Sequence, residues 1–236
     1  MSLSVQNLTI KSKQATLVGN MSFDVENGNI LSIMGPSGCG KSTLLSAIAG
    51  HLSPEFKCEG DIQVSQKSVL TLPAEKRAIG ILFQDDLLFP HLSVWQNLAF
   101  GLPDTMTAPE KKSRALATLE EIELGDIAYK APDQISGGQR ARISLMRTLL
   151  SHPTVILLDE PFSKLDKPLR KSFRAFVFKQ IKNRNIAAVM VTHDEDDVPP
   201  ESTLLNWPMA SNEPSTHELT QQEKDTDSLQ SEHKHA

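Results

Sequence analysis

No run of apolar residues in this chain approaches the roughly 20 needed to cross a bilayer as a helix. The first residues, MSLSVQNLTIKSK, lack the apolar stretch of a signal peptide. Work at a membrane would therefore pass through a partner. Cysteine is scarce: Cys39 and Cys58 are the only two in 236 residues, which excludes a disulfide framework and fits a reducing compartment. Aromatics make up only 5% of the chain, and basic residues are not in excess, with 24 Lys and Arg against 29 Asp and Glu. Bulk charge thus does not favour a nucleic-acid-binding surface. No internal repeat is found.

What charge there is lies at one end. Of a formal net charge of -5, -4 falls between Met209 and Ala236, where six acids accompany two lysines. That segment is rich in Ser, Thr, Gln and Glu and reads as a polar, disordered tail, 209–236. The remaining 1–208 is long enough for one large domain.

Within 1–208, Leu3–Ile10 and Met21–Val25 carry strand patterns, and Glu26-Asn27-Gly28-Asn29 is a turn signal. Ile30–Met34 is a short apolar strand, and Ser42–Ala49 reads as a helix stopped by Gly50. Ile79–Phe83 is a further strand. From about 85 to 150 the character changes to helical, with Thr107–Leu124 and Ser136–Leu150 as the clearest segments. Val155–Leu158, a fully apolar run, reads as a buried parallel strand, followed by a helix at Leu169–Asn183 and a strand at Ile186–Thr192. Strands alternating with helices predict an α/β fold with a mostly parallel sheet and an inserted helical subdomain.

Three motifs carry chemistry. Gly35-Pro36-Ser37-Gly38-Cys39-Gly40-Lys41-Ser42-Thr43 matches the phosphate-loop pattern at every fixed position, between a strand and a helix. Its glycines let backbone N–H groups turn toward phosphate oxygens, and the helix N-terminus adds partial positive charge. Lys41 would reach the β- and γ-phosphates, and Ser42 would bind Mg²⁺. Cys39 within the loop reads as a small residue turned away from phosphate rather than a redox switch. The second motif is the apolar strand ending in Asp159 and Glu160. Asp159 would hold Mg²⁺, and Glu160 would polarise the attacking water. The third is Ser136-Gly137-Gly138-Gln139 opening a helix, a second anion-binding corner. One triphosphate does not need two such corners from one chain, so the second points to another nucleotide.

In order, the phosphate loop, Gln84, Ser136–Gln139, Asp159-Glu160-Pro161, Ser163–Asp166 and His193 resemble the ATP-binding subunit of an ABC transporter. The resemblance covers about 3–198. It implies a P-loop NTPase fold: a RecA-like core, an N-terminal antiparallel β subdomain and the inserted helical subdomain. It also implies an ATPase that pairs head to tail with a second copy. Each ATP would lie between one chain's phosphate loop and the other's Ser136–Gln139. Asp166 would link the two sites. Gln84 would touch Mg²⁺ and the attacking water, and His193 would orient that water at the γ-phosphate. Integral permease subunits and, through them, an extracytoplasmic solute-binding protein are the implied partners. The implied location is peripheral, on the cytoplasmic face of a bacterial inner membrane. The apolar stretch Asp85–Leu102 would receive the permease.

Departures matter as much. The aromatic residue that such cassettes place about 23 positions before the loop, to stack on adenine, is absent from Lys11-Ser12-Lys13. Ile135 begins the signature in place of Leu, and Lys164 replaces a small residue. After His193, Asp196–Pro200 interrupts any helix and the chain soon turns polar, leaving no room for a C-terminal effector domain. The other histidines show no persuasive metal spacing, His233 and His235 being the closest pair. Import of a small solute is the favoured role. An exporter cassette, a soluble ATPase acting on nucleic acid or ribosomes, and a non-hydrolysing scaffold are the alternatives.

Overall fold

A computed structural model describes residues 2–207. The tail from Met209, with its histidines, lies outside them. The chain runs β1 (Leu3–Lys11), β2 (Thr16–Val25), β3 (Ile30–Met34), α1 (Lys41–Ala49), β4 (Lys57–Val64), β5 (Lys67–Ser68), β6 (Ile79–Leu82), α2 (Val94–Phe100), α3 (Ala108–Glu121), α4 (Gly137–Leu149), β7 (Val155–Asp159), α5 (Lys167–Arg184), β8 (Ala187–Thr192) and β9 (Thr203–Asn206). Two sheets form: an antiparallel one ordered β2-β1-β4-β5 and a five-stranded one ordered β6-β7-β8-β3-β9, whose pairings are all parallel.

The parallel sheet follows from its sequence. Val155–Leu158 and the whole of β8 are buried, as strands covered on both faces must be. Side chains alternate across a strand, and these divide accordingly. Ile156, Leu158, Ala188 and Met190 join a core with α2, α3, α4 and α5. Val155, Leu157, Val189 and Val191 face the other core, with α1 and the antiparallel sheet. The two cores therefore share the sheet as their common wall.

Parallel strands put all their carboxyl ends on one edge, where open α/β sheets bind ligands. Here that edge gathers the loops after β3, β6, β7 and β8, with Trp207 following β9. Between β6 and β7 the chain adds α2, α3 and α4, with α2 packed against both of the others. α3 starts at a capping box: the Glu110 carboxylate accepts from the N–H and hydroxyl of Thr107, both at 2.7 Å. These hydrogen bonds hold the Glu110 carboxyl below its ordinary range.

Arg77 fixes the far end of α1. Its buried guanidinium donates to the carbonyls of Ala47 and Ile48 at 2.8 and 2.9 Å, and to Leu72 and Leu70 at 2.8 and 2.7 Å. Four carbonyls, two of them at a helix C-terminus, thus share one cation.

Past Asp196–Pro200, where the sequence suggested only a break and a polar run, β9 adds a parallel edge strand beside β3.

Candidate functional site

Between β3 and α1 the chain turns through two glycines in the left-handed region, Gly38 at φ 78° and Gly40 at φ 110°. Side-chain-bearing residues adopt these angles at a cost, which explains the loop's composition. Lys41 opens α1 and is 5% exposed. Its Nζ donates to the carbonyls of Gly35 at 2.7 Å and Pro36 at 2.8 Å. The loop therefore stations a cation at its own centre, held by acceptors that a phosphate oxygen can replace. Cys39 is half-buried, with Sγ 3.9 Å from that Nζ.

One residue on, the Ser42 hydroxyl donates to Asp159 Oδ1 at 3.1 Å, joining α1 to the end of β7. Burial pushes the Asp159 carboxyl up. The Ser42 hydrogen bond opposes this, neighbouring Glu160 adds to it, and Lys41 offsets it in part. A carboxylate that resists ionising beside a hydroxyl oxygen is a site that gains by a divalent cation. Among the described residues no group of three or more His, Cys, Asp or Glu gathers. The Ser42 hydroxyl and the Asp159 carboxylate are hard oxygen donors, a pair that fits Mg²⁺, which takes one or two protein oxygens and completes its shell with phosphates and water.

Glu160 sits at φ 44°, unusual for a residue with a side chain. Its N–H donates to the Val191 carbonyl at 3.1 Å, and its carbonyl accepts from the Ser163 hydroxyl at 2.9 Å. Both contacts hold the unfavourable angle, and strain of this kind costs about 1–3 kcal/mol. Its carboxylate meets His193 Nδ1 at 3.1 Å.

The loop bearing His193 is pinned from α5. Arg170 Nε donates to Asp197 Oδ1 at 2.8 Å, and its Nη2 to Asp197 Oδ2 at 2.5 Å and Asp194 Oδ2 at 2.7 Å. Asp197 is 2% exposed and also accepts from Thr192 Oγ1 at 3.3 Å. The Asp197 hydrogen bond raises the Arg170 pKa. The backbone N–H of Asp196, with help from Arg170, lowers that of Asp194. Arg170 and Asp197 are 27 positions apart, and no motif announces the pair.

Gln84 is exposed at the end of β6, on the rim of a cleft of about 290 Å³ that Asp85, Arg140, Ser144, Lys164 and Phe173 also line. Two ion pairs cross this cleft. Lys164 pairs with Asp85, and Arg140 pairs with Asp86 at 2.9 Å. The lysine that departs from the family pattern thus has a partner beside Gln84. Arg147, further along α4, lies over the Phe89 ring at 5.1 Å and reaches Asn97 Oδ1 at 3.4 Å. Of the arginines that follow Gln139, Arg140 has an acid partner, while Arg142 lies over the Phe176 ring at 5.2 Å and Arg147 over that of Phe89. Phe83, Leu87 and Phe100 stand exposed around this region.

Ser136 caps α4: its hydroxyl accepts from the Gln139 N–H at 3.3 Å, and its own N–H donates to Gln139 Oε1 at 2.9 Å. A side chain at Gly138 would bring its Cβ within 2.3 Å of Leu169 Cδ1, so glycine there lets the Leu169 side chain of α5 lie close against α4. Asp166 caps α5, accepting from the Leu169 N–H at 3.0 Å.

The sheet edge thus brings Lys41, Ser42, Asp159, Glu160 and His193 together. No hydrogen bond among the described residues joins Ser136–Gln139 to the phosphate loop. The hairpin at Ser12 holds no aromatic; there Ser12 closes a turn onto Ala15. The aromatic beside the loop is Trp207, after β9, and sequence reading missed it because a lone Trp-Pro after a short apolar run is no motif.

A family model described as "ABC transporter" matches residues 18–163. "Uncharacterized ABC transporter ATP-binding protein YnjD" of Escherichia coli K12 is 44% identical over 204 residues, 86% of this chain and 94% of that protein. "Thiamine import ATP-binding protein ThiQ" of Aliivibrio fischeri is 39% identical over 189 residues, 80% of each. "Fe(3+) ions import ATP-binding protein FbpC 2" of Haemophilus influenzae is 37% identical over 200 residues, 83% of this chain and 55% of that protein. The chain spans about half the length of that iron relative.

Proposed function

Because this chain belongs to the ABC transporter family and is its ATP-binding, ATP-hydrolysing subunit, we propose that two copies cleave ATP at shared sites and drive import of a small solute through a separate permease. The observation that carries this reading is the split of the phosphate-binding groups. Lys41, Asp159, Glu160 and His193 converge at one sheet edge, while the exposed Ser136 corner bonds only within its own segment. A second copy turned head to tail would complete each site with that corner, through a two-fold, self-complementary interface.

In this reading residues 1–208 act as one nucleotide-binding domain, with 85–150 as its inserted helical part. The backbone of Gly35–Thr43 cradles the phosphates, and Lys41 leaves the Gly35 and Pro36 carbonyls for the β- and γ-phosphate oxygens. Mg²⁺, held by Ser42 and Asp159 with Gln84, would neutralise charge that builds on the phosphates. Glu160 takes the proton of the attacking water. His193, whose Nδ1 lies 3.1 Å from the Glu160 carboxylate, steadies that carboxylate and reaches the γ-phosphate. From the partner copy, Ser136–Gln139 would present N–H groups to the same phosphate, and Asp166 would pass the state of one site to the other.

The exposed apolar residues Phe83, Leu87 and Phe100 next to Gln84 suit a permease surface. No helix among the described residues is long and apolar enough to cross a membrane. In the proposed reading the chain works at the cytoplasmic face of a bacterial inner membrane, with a solute-binding protein on the far side. Relatives named for thiamine and iron import support the direction.

Glu160→Gln tests the assignment. Removing a positioned base slows turnover by about 10²–10⁴-fold, while ATP binding survives and the ATP-bound form accumulates as a dimer. Turnover unchanged from wild type would overturn the role of Glu160. Failure to co-purify with any polytopic membrane protein would overturn the transporter role.

A further inference from the structure

Trp207 lies against both ends of the phosphate loop. β9 runs beside β3, so the Trp207 N–H donates to the Met34 carbonyl at 2.5 Å, the last carbonyl before the loop. From there the side chain crosses behind the loop. A Cβ built on Gly35 would stand 2.5 Å from Trp207 Cβ and 3.3 Å from its Cγ. A Cβ on Gly40, at the other end, would stand 3.4 Å from Trp207 Cζ2. Leu17 and Cys39 close the sides: the first has its Cβ 3.7 Å from the Gly40 position, the second its Sγ 3.4 Å from the Gly35 position. Trp207 is 8% exposed and belongs to the core that includes α1.

We infer that Trp207 is a positioning residue that braces the phosphate loop in its binding shape and reports its occupancy. A loop with glycines at positions 35, 38 and 40 has more conformational freedom to lose there than side-chain-bearing residues would. Its amides bind phosphate well only if they are already oriented. A rigid bicyclic side chain spanning both ends supplies that order from behind without touching the nucleotide. One of the two carbonyls that Lys41 leaves for phosphate belongs to Gly35, the residue packed closest to the Trp207 side chain, so a change there reaches the indole. The ring is also too buried to stand in for the aromatic missing near Ser12 as a stacking face.

This inference rests on the phosphate-loop reading of Gly35–Thr43. The chain holds two tryptophans, Trp95 and Trp207, so the difference between wild-type and Trp207→Phe emission isolates Trp207. The experiment uses the full chain with MgATP and ADP. Calorimetric titration gives nucleotide affinity, steady-state phosphate release gives KM and kcat, and emission is followed during ADP addition. Trp207→Ala is expected to raise the ATP KM by roughly fivefold or more with kcat nearly unchanged, and Trp207→Phe to restore most of the affinity. Wild type is expected to show an ADP-dependent emission change that Trp207→Phe lacks. If Trp207→Ala does not fold, the emission comparison decides. A KM in a folded Trp207→Ala equal to wild type, or identical emission responses in wild type and Trp207→Phe, would overturn the brace alone. Absence of nucleotide binding by wild type would overturn the loop reading and the brace together.

Discussion

Arg170→Ala removes the clamp that holds the His193 loop against α5. It leaves the Asp197 carboxylate, 2% exposed, with two weaker neighbours: Thr192 Oγ1 at 3.3 Å and Arg174 Nη1 at 3.7 Å. Deleting one member of a buried ion pair costs about 3–5 kcal/mol because the other is left uncompensated. The remaining arginine and hydroxyl soften that, so the expected loss is about 2–3 kcal/mol. In a chain of this size it lowers Tm by roughly 5–10 °C. Asp197→Asn should cost less, about 1 kcal/mol, because Arg170 keeps Asp194 at 2.7 Å and is better exposed. Arg170→Lys should fall between, since an ammonium cannot make the two-pronged contact. Urea unfolding gives these free energies. ATPase assays on the same proteins should show kcat falling several-fold in Arg170→Ala as His193 loses its fixed position. An Arg170→Ala protein within about 0.5 kcal/mol of wild type, with unchanged kcat, would refute the reasoning.

Ser136→Asp keeps a good helix cap and places an acid at a helix N-terminus, so the melting temperature should hold or rise. It also puts a carboxylate where phosphate should dock, and hydrolysis should fall by about 100-fold or more. Asp159→Asn should do the opposite of a damaging core change. The folded pKa of Asp159 lies above its unfolded one, so ionised Asp159 costs stability at neutral pH. The neutral isostere should raise Tm and abolish Mg²⁺-dependent hydrolysis. That stability gain shrinks as pH falls through the raised pKa and vanishes below about pH 4, where the carboxyl is neutral in both states; a gain that persists in acid would contradict the assigned cause. Arg77→Ala strands four carbonyls, those of Ala47 and Ile48 at the end of α1 and those of Leu70 and Leu72, and should cost about 3 kcal/mol or more in urea unfolding.

The strands that built the site were legible because their chemistry is extreme. β7 and β8 are buried on both faces and read as unbroken apolar runs, and the phosphate loop needs glycines at fixed positions. Elements with mixed environments were not legible. β4, KCEGDIQV, is half-exposed over most of its length, and β5 is two exposed residues. α2 is only seven residues long, so its apolar content reads as a surface stretch rather than a helix. β9 follows a proline pair and is exposed along one side, which hides it among polar neighbours. At the site itself, Lys41, Asp159 and Glu160 could be named from their motifs, and His193 from the family resemblance. The groups that hold them could not. Arg170 meets Asp197, Lys164 meets Asp85 and Trp207 meets Gly35 only once the chain has folded.

Mixing two inactive variants tests the shared site most directly. Lys41→Ala spoils the phosphate loop and keeps the Ser136 corner, and Ser136→Asp does the reverse. In a random mixture half the dimers contain both chains, and each has one intact site of two. Hydrolysis should therefore return to about a quarter of the wild-type rate per chain, from two proteins that are each inactive. A mixture no more active than the sum of its parts would contradict the two-copy site.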